Sequence, residues 1–456
     1  MKRRSVVHVS PHLGGGVGRV LLNYMAYSLD HEDLHHSIYC LDYANEDALA
    51  RAARIGIPLS DRVAGRMDEL LDAIAAADIV LIHFWNHPLL WDLLVRHPLP
   101  PARVLLWSHV AGHHSPQIFT RDLIHYPDRF VLASPYSGEA KVVTDLADEI
   151  RKDRVRLVLT SAGIDHVSGI EPAKHEGFHV GYIGTVDYCK MHPRFLEMSA
   201  DARIPGLRFT VCGGDREEEI AAEAAQLGLT DRFSFLGKIQ DIRSQLASFD
   251  VFGYPLRRDH YGTGEQVLIE ALAAGVPPVV LGGGAERYVV EDGFNGLVVD
   301  DEENYPRALE QLYREPDTRL RLADNARSSA QERFGVEQTA ASFYELFCEV
   351  SAEDKTEHPW PGDGNSGSAS AAEVLATSLG DEGGAFSRFL CADSPEAVAS
   401  AEEQIRELPT FFRTETRGSP FHYRFFFPED IDLQRWCTLL APDEPRGHLD
   451  EDGLHR

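Results

Sequence analysis

The chain has 456 residues, of which 43% are hydrophobic and 25% charged, and a formal net charge of −28 at pH 7. That length exceeds one hydrophobic core and suits two or three domains. The acidic balance excludes nucleic-acid backbone as the main partner, and no apolar run reaches the roughly 18 residues of a membrane-spanning helix. Charge is uneven: residues 1–167 carry a net −3, residues 168–350 −13 and residues 351–456 −12. The basic start Met1-Lys-Arg-Arg4 is followed by only Val6–Val9, too short for the apolar part of a signal peptide, so a cytoplasmic protein is expected. Six scattered cysteines without a CxxC pair exclude a disulfide scaffold and a zinc ribbon.

In chain order, β-rich runs occupy Val6–Val9, Ser37–Cys40, Ile79–Phe84, Val104–Trp107, Phe130–Ala133 and Val155–Val158. Between the first two, Val17–Leu29 has the spacing of a helix with one apolar face. Strands apolar on both faces and alternating with helices predict a parallel sheet covered on both sides. The loop Gly14-Gly-Gly-Val-Gly-Arg19 links the first strand to that helix, and unpaired N–H groups at a helix start attract an anion. It lacks the GK[ST] of a P-loop, while Asp42 after the second strand keeps a nicotinamide reading open. His83-x3-His87 and His109-x3-His113, beside His114, have metal-pair spacing, but they straddle strand ends and loops, so no metal is expected. Strand ends face the ligand crevice of an open sheet, which makes Trp85, Asn86, His87, His113 and His114 candidates to line it; plain packing is the competing reading.

A second set of strands follows the polar stretch near residues 166–177: Phe178–Ile183, Arg208–Cys212, Arg232–Leu236, Val251–Tyr254, Pro278–Leu281 and Gly296–Val299. Lys190, just past the first of these, stands where a pyrophosphate would bind, against the plainer reading of a solvated lysine. The segment Tyr261-Gly-Thr-Gly-Glu-Gln-Val-Leu-Ile-Glu270 runs from a glycine loop into a helix that Gly275 and Pro277 stop. Glu265 and Glu270 would not share a face of one regular helix, but with Glu265 in the loop both can line one ligand at different depths. The expected domains are residues 1–167 and 168–350, then a Pro/Gly/Ser-rich linker over 351–386 and a small appendage over 387–456 with a helix at Ser394–Leu408 and an aromatic strand around Phe421–Phe427. Those aromatic residues are expected to fold back, either covering an exposed flank of the main body or forming a homo-oligomer contact, and to carry no chemistry.

Lys190, the loop from Tyr261, Gly282-Gly-Gly-Ala-Glu-Arg287, Glu291-Asp-Gly-Phe-Asn-Gly296 and Ala326-Arg327 resemble the C-terminal half of the family-4-type retaining glycosyltransferases. In the first half, Gly15-Gly-Val-Gly-Arg19, His109 and Ser161-Ala-Gly-Ile-Asp165 resemble that family's glycine loop, crevice histidine and inter-domain signature. The resemblance spans roughly residues 5–350 and implies the α/β GT-B fold: two doubly wound Rossmann-like domains facing across a cleft, here with a small C-terminal appendage. It implies a hexosyltransferase-type enzyme moving a sugar from a nucleotide-diphosphate donor to a sugar, glycan, lipid-linked or small-molecule acceptor, with retention and without a metal or other cofactor. Lys190 would meet the diphosphate and Glu270 the ribose hydroxyls. Gly262, Thr263, Gly264 and Glu265 would lie over the donor sugar, Gly15 and Gly16 would approach the diphosphate, His109 would face the sugar, and the crevice candidates Trp85, Asn86, His87, His113 and His114 would be on the acceptor side.

Three departures from the family pattern stand out. The first of its two glutamates, eight positions before Glu270, is Gly262; Thr185 replaces an arginine; and Ala162 replaces the signature asparagine. Glu265 is the candidate substitute for the missing carboxylate. The alternatives are a GT-B protein that has lost catalysis and acts as a binding or assembly partner, and a nicotinamide-dependent oxidoreductase.

Overall fold

Runs of β-branched and aliphatic residues buried on both faces give the chain two sheets of parallel strands. The computed structural model describes residues 3–31, 33–214, 216–361, 366–413 and 418–441, and it divides into two units. Unit 1 comprises Met1–Leu132, Gly138–Leu157 and Phe343–Arg456; unit 2 comprises Ala133–Ser137 and Val158–Ser342.

Unit 1 contains β1 (Arg4–Ser10), β2 (Leu34–Cys40), β3 (Leu59–Ser60), β4 (Ile79–Phe84), β5 (Leu99–Ala102), β6 (Val104–Ser108), β7 (Arg129–Leu132) and β8 (Val155–Leu157). Seven of these form a parallel sheet in the order β3-β2-β1-β4-β6-β7-β8. The order reverses between β1 and β4, so the loops after those two strands flank the switch point where doubly wound sheets bind ligands. Every residue of β4 and β6 is buried, as a central parallel strand requires.

Unit 2 contains β9 (Phe178–Ile183), β10 (Leu207–Cys212), β11 (Phe233–Phe235), β12 (Val251–Tyr254), β13 (Pro278–Leu281) and β14 (Leu297–Val299). Its sheet is also parallel, in the order β11-β10-β9-β12-β13-β14, with the switch point between β9 and β12. Gly181 in β9 is a packing requirement: a Cβ there would run into the Phe249 ring. The helix Gln266–Ala274 is buried along nearly its whole length and ends at Gly275, whose φ of 75° suits the left-handed cap.

The C-terminal region corrects the sequence reading. Residues 362–365 of the expected linker lie outside the described residues, but the rest of 351–386 is built into unit 1. There β15 (Thr356–His358) pairs antiparallel with β5, and the helices Ala371–Leu379 and Gly384–Leu390 follow. Val374, Leu375, Phe386, Phe412, Tyr423 and Trp436 share one buried core with Leu90, Trp91 and Leu94 of the helix Pro88–Arg96. The C-terminal helices therefore pack into the core of unit 1 and are not held off it by a free linker. The expected aromatic strand is the helix Pro420–Phe426: Ser419 accepts from the His422 N–H and Pro420 occupies the first turn, a helix-start signal that outweighs the β propensity of the aromatics. Ser370 with Glu373 forms a capping box, and Asp430 caps Ile431–Leu440 while also accepting from the Ala372 N–H. Phe412 and Tyr423 lie in this core, so the expected fold-back of the tail onto the main body is found, while Phe425 stays 40% exposed.

Trp436→Ala should cost about 3–5 kcal/mol. Hydrogen exchange should then show lost protection in Pro88–Arg96 as well as in the tail helices; loss confined to the tail would mean two separate cooperative units.

Candidate functional site

In unit 2 the loops after β9 and β12 carry a buried charged cluster. Lys190 follows β9, and its Nζ lies 3.0 Å from Glu265 Oε2. The Tyr254 hydroxyl, at the end of β12, donates to the same carboxylate oxygen at 2.7 Å. Burial disfavours both charges, yet the Glu265 carboxylate holds the Lys190 ammonium above its ordinary pKa, and Lys190, His260 and the Tyr254 hydroxyl hold Glu265 below the usual carboxylate value. The pair is therefore ionised at neutral pH.

Glu265 occupies an uncommon backbone position, with φ of 29° at the N-terminal edge of the helix Gln266–Ala274. A non-glycine residue there costs of order 1–3 kcal/mol and persists only where its surroundings hold it. The carboxylate is what holds it. A Cβ at Gly262 would collide with Glu265 Oε1 and stand 3.0 Å from His260 Nδ1. The position eight before Glu270 is thus glycine because the Glu265 side chain fills the space beside it. Glu265 Oε1 is buried and has no hydrogen-bond partner among the described residues; His260 Nδ1 stands 3.9 Å away.

His260 and Glu286 were missed in the sequence. Nδ1 of His260 accepts from the Gly262 N–H at 3.0 Å, and Nε2 lies 2.7 Å from Glu286 Oε1. A Cβ at Gly284 would press on both His260 Nε2 and Glu286 Oε2. The glycines at 262 and 284 thus make room for one buried imidazole, a signal that neither glycine motif discloses alone.

Glu270 is fully buried one turn into the helix, with Oε1 2.9 Å from His166 Nε2. Gln266 ties the same helix to the Ser161–Asp165 segment, accepting from the Ala162 N–H at 2.8 Å and donating to the Gly163 carbonyl at 3.3 Å. Thr263 is buried and Gly264 packs its Cα near Thr160. Lys190, Gly262, Thr263, Gly264, Glu265 and Glu270 therefore all belong to the loops and helix beside the β9–β12 switch point. An open recess of about 760 Å³ lined by Asp201, Arg203 and Arg232, on segments leading into β10 and β11, and by Arg307 of the helix Asn304–Arg314 shares no lining residue with this cluster.

In unit 1, Gly15 opens the helix Gly15–His31 with φ of 60°, which only glycine adopts readily. At Gly16 a Cβ would touch nothing among the described residues within 4 Å. His109 directly follows β6 and is partly exposed. Trp85, Asn86 and His87, expected to line an open acceptor side, are instead buried. Gly418 closes on Asn86, and the rings of His422 and Phe426 stand 5.1 and 4.9 Å from that of His87. Covered by the C-terminal region, these three pack; His113 remains partly exposed. The histidine spacing does not assemble a metal set among the described residues: His83 hydrogen-bonds His109 at 3.0 Å, while His87 turns to His422.

Glu265→Gln should strand the Lys190 charge and destabilise unit 2 by about 3–5 kcal/mol at pH 7. Because the folded pKa of Glu265 lies below its ordinary 4.5, the carboxylate's contribution is present above about pH 4.5 and is lost as pH falls through the lower folded value. Urea unfolding of wild type and variant between pH 7 and pH 3 should show the gap closing on acidification.

The family model described as Glycosyl transferases group 1 matches residues 166–329. The lipopolysaccharide core biosynthesis glycosyltransferase LpsE of Rhizobium meliloti (strain 1021) is 31% identical over 302 residues, which cover 60% of this chain and 86% of that protein. The D-inositol 3-phosphate glycosyltransferase of Stackebrandtia nassauensis is 28% identical over 304 residues, 58% of this chain and 66% of that one. Among solved structures, Anabaena Alr3699/HepE in complex with UDP and glucose superposes with a TM-score of 0.61 at 16% identity, covering 76% of this chain and all of that chain. A glycosyltransferase from Rickettsia africae ESF-5 gives 0.63 at 12% identity, covering 77% and 99%. With its two doubly wound parallel sheets and its glycine, lysine and glutamate loops, the chain belongs to the group 1 glycosyltransferases of the GT-B fold.

Proposed function

We propose that this glycosyltransferase moves a hexosyl group from a nucleoside-diphosphate sugar to an acceptor hydroxyl, with retention of configuration and without a metal. The observation that carries the reading is the set of groups beside the β9–β12 switch point: the partly buried Lys190 ammonium paired with the buried Glu265 carboxylate, and the buried Glu270 on the helix that follows. An ammonium has three N–H donors, so Lys190 can hold Glu265 and still donate to a diphosphate. A partly buried cation and the amides at a helix start neutralise a leaving phosphate without a metal ion. Glu270 suits ribose hydroxyls as an acceptor.

Glu265 takes the place of the carboxylate missing at Gly262. Its Oε1, buried and unpartnered among the described residues, is an acceptor for a hydroxyl of the donor sugar. Gly15 and Gly16 leave room for close approach to phosphate, and His109 is the group that hydrogen-bonds the reacting sugar. In the transfer, the C1–O bond to the diphosphate breaks and a C1–O bond to the acceptor forms on the same face. The acceptor proton passes to a departing phosphate oxygen, giving the glycoside and the nucleoside diphosphate. The UDP in the HepE complex makes UDP-sugars the first donors to try.

A panel of UDP-, GDP- and dTDP-sugars with mass detection should yield a transfer product. Its anomeric proton coupling should match that of the donor, and EDTA should leave the rate unchanged. Inversion, or loss of activity restored by a divalent cation, would overturn the respective part. Binding without turnover for every donor would favour the non-catalytic reading. Glu270→Gln should weaken nucleoside-diphosphate binding by about 1.5–3 kcal/mol, measured by calorimetry on the unglycosylated nucleotide.

A further inference from the structure

A row of four histidines crosses the interior of unit 1, one at each of four adjacent strands. His36 lies in β2, His8 in β1, His83 in β4, and His109 directly after β6. Nδ1 of His36 is 2.8 Å from Nε2 of His8, Nδ1 of His8 is 3.0 Å from Nε2 of His83, and Nδ1 of His83 is 3.0 Å from Nε2 of His109. At the far end, the Ser28 hydroxyl on the helix Gly15–His31 lies 2.8 Å from Nε2 of His36. His8, His36 and His83 are wholly buried. Nδ1 of His109 is the one ring nitrogen of the row that no described residue hydrogen-bonds.

Nothing nearby supports a charge on these rings. The buried acidic side chains among the described residues, Glu265, Glu270 and Glu286, all belong to unit 2. Around the row stand Tyr24, Trp107 and Trp85, with ring centroids 5.5 Å from His36, 4.6 Å from His109 and 6.1 Å from His109 respectively. Burial, reinforced at His8 by His36 and His83, at His83 by His109 and at His36 by His35, holds all four far below the ordinary imidazole value, His36 and His109 at about 3.

A neutral imidazole carries one N–H and one lone pair. Every junction in the row joins an Nδ1 to an Nε2, so a hydrogen bond at each junction forces the same tautomer on every ring. All are Nδ1–H, or all are Nε2–H; any mixture sets two N–H groups or two lone pairs against each other inside the core. The row therefore has one binary variable, and its value reaches the surface at Nδ1 of His109.

We infer that this row is a tautomer lock: His36, His8 and His83 are positioning residues that, together with Ser28, fix Nδ1 of His109 as a hydrogen-bond acceptor. A serine within a helix ordinarily gives its proton to the carbonyl one turn back. Its oxygen then accepts from Nε2–H of His36, which selects Nε2–H throughout and leaves the lone pair of His109 facing outward. The row does not shuttle protons. Passing from all-Nδ1–H to all-Nε2–H would release a proton at His109 and draw one from Ser28, leaving an alkoxide in the core. The consequence for catalysis rests on the reading of His109 as the group that meets the reacting sugar; the lock itself does not.

The test is ring tautomer by long-range nitrogen–proton correlation on full-length protein labelled with 15N-histidine, with rings assigned by single substitution. The expected result is Nε2–H at all four rings near neutral pH. His36→Phe, which does not touch His109, should shift the Nδ1 and Nε2 resonances of His109 in opposite directions. Ser28→Ala serves as a second variant should His36→Phe fail to fold, and should change His109 in the same coupled way. Mixed tautomers in the wild type, or His109 resonances that stay fixed while His8 responds, would overturn the lock. Uniform Nδ1–H would overturn the acceptor assignment. If the tautomers are coupled but sugar transfer by His36→Phe is unchanged, the lock stands and the role given to His109 falls.

Discussion

The Glu265 carboxylate is the constraint on which the candidate site depends. It is buried, ionised and held from three directions, by the Lys190 ammonium, the Tyr254 hydroxyl and the neighbouring His260. Those partners come from two loops and a strand end, so satisfying one carboxylate orders the whole C-terminal rim of the unit 2 sheet at its switch point. The strained backbone at residue 265 and the glycine at 262 are consequences: the first places the carboxylate, the second leaves space for it. A buried ion pair is weak as a source of net stability. Its retention here fits a site that has to present charge to a charged ligand.

At its own switch point unit 1 carries no charge cluster among the described residues. A neutral row of histidines lies there, each imidazole satisfying its neighbour, so polar atoms cross a buried sheet at no cost in ionised desolvation. The two units thus share a topology and differ in electrostatics, unit 2 carrying the buried carboxylates Glu265, Glu270 and Glu286 and unit 1 the hydrogen-bonded histidine row. Common fold and divergent lining are what doubly wound sheets allow, because chemistry sits on the loops and strand ends.

The C-terminal region links packing to function. By filling the core beside the helix Pro88–Arg96 and closing over Asn86 and His87, it turns polar residues at a strand end into packed ones. A strand-end position next to a switch point makes a residue available for binding. Whether it remains available depends on what other parts of the chain lie on top.

The strand pattern of the two parallel sheets was legible: all twelve runs assigned to them are strands in the structure, because buried parallel strands leave continuous β-branched and aliphatic stretches. The short β3 and edge β5 were not, being too short or too rich in proline to show. That Lys190, Gly262, Glu265 and Glu270 would lie on loops and a helix start beside strand ends was legible from the strand–loop–helix pattern, while the roles given to them came from the family resemblance. The tail was misread because aromatic residues favour strands locally, while Ser419-Pro420 and the neighbouring core favoured a helix. His260, Glu286, His166 and the row from His36 to His109 became visible only in the tertiary structure. Each is a contact between residues far apart in sequence, and a buried histidine in a strand gives no local sign of which ring it will meet. The sequence by itself determined the fold class through local periodicity, and its loop motifs carried the family resemblance; partners, burial and protonation were decided by the packing of distant segments.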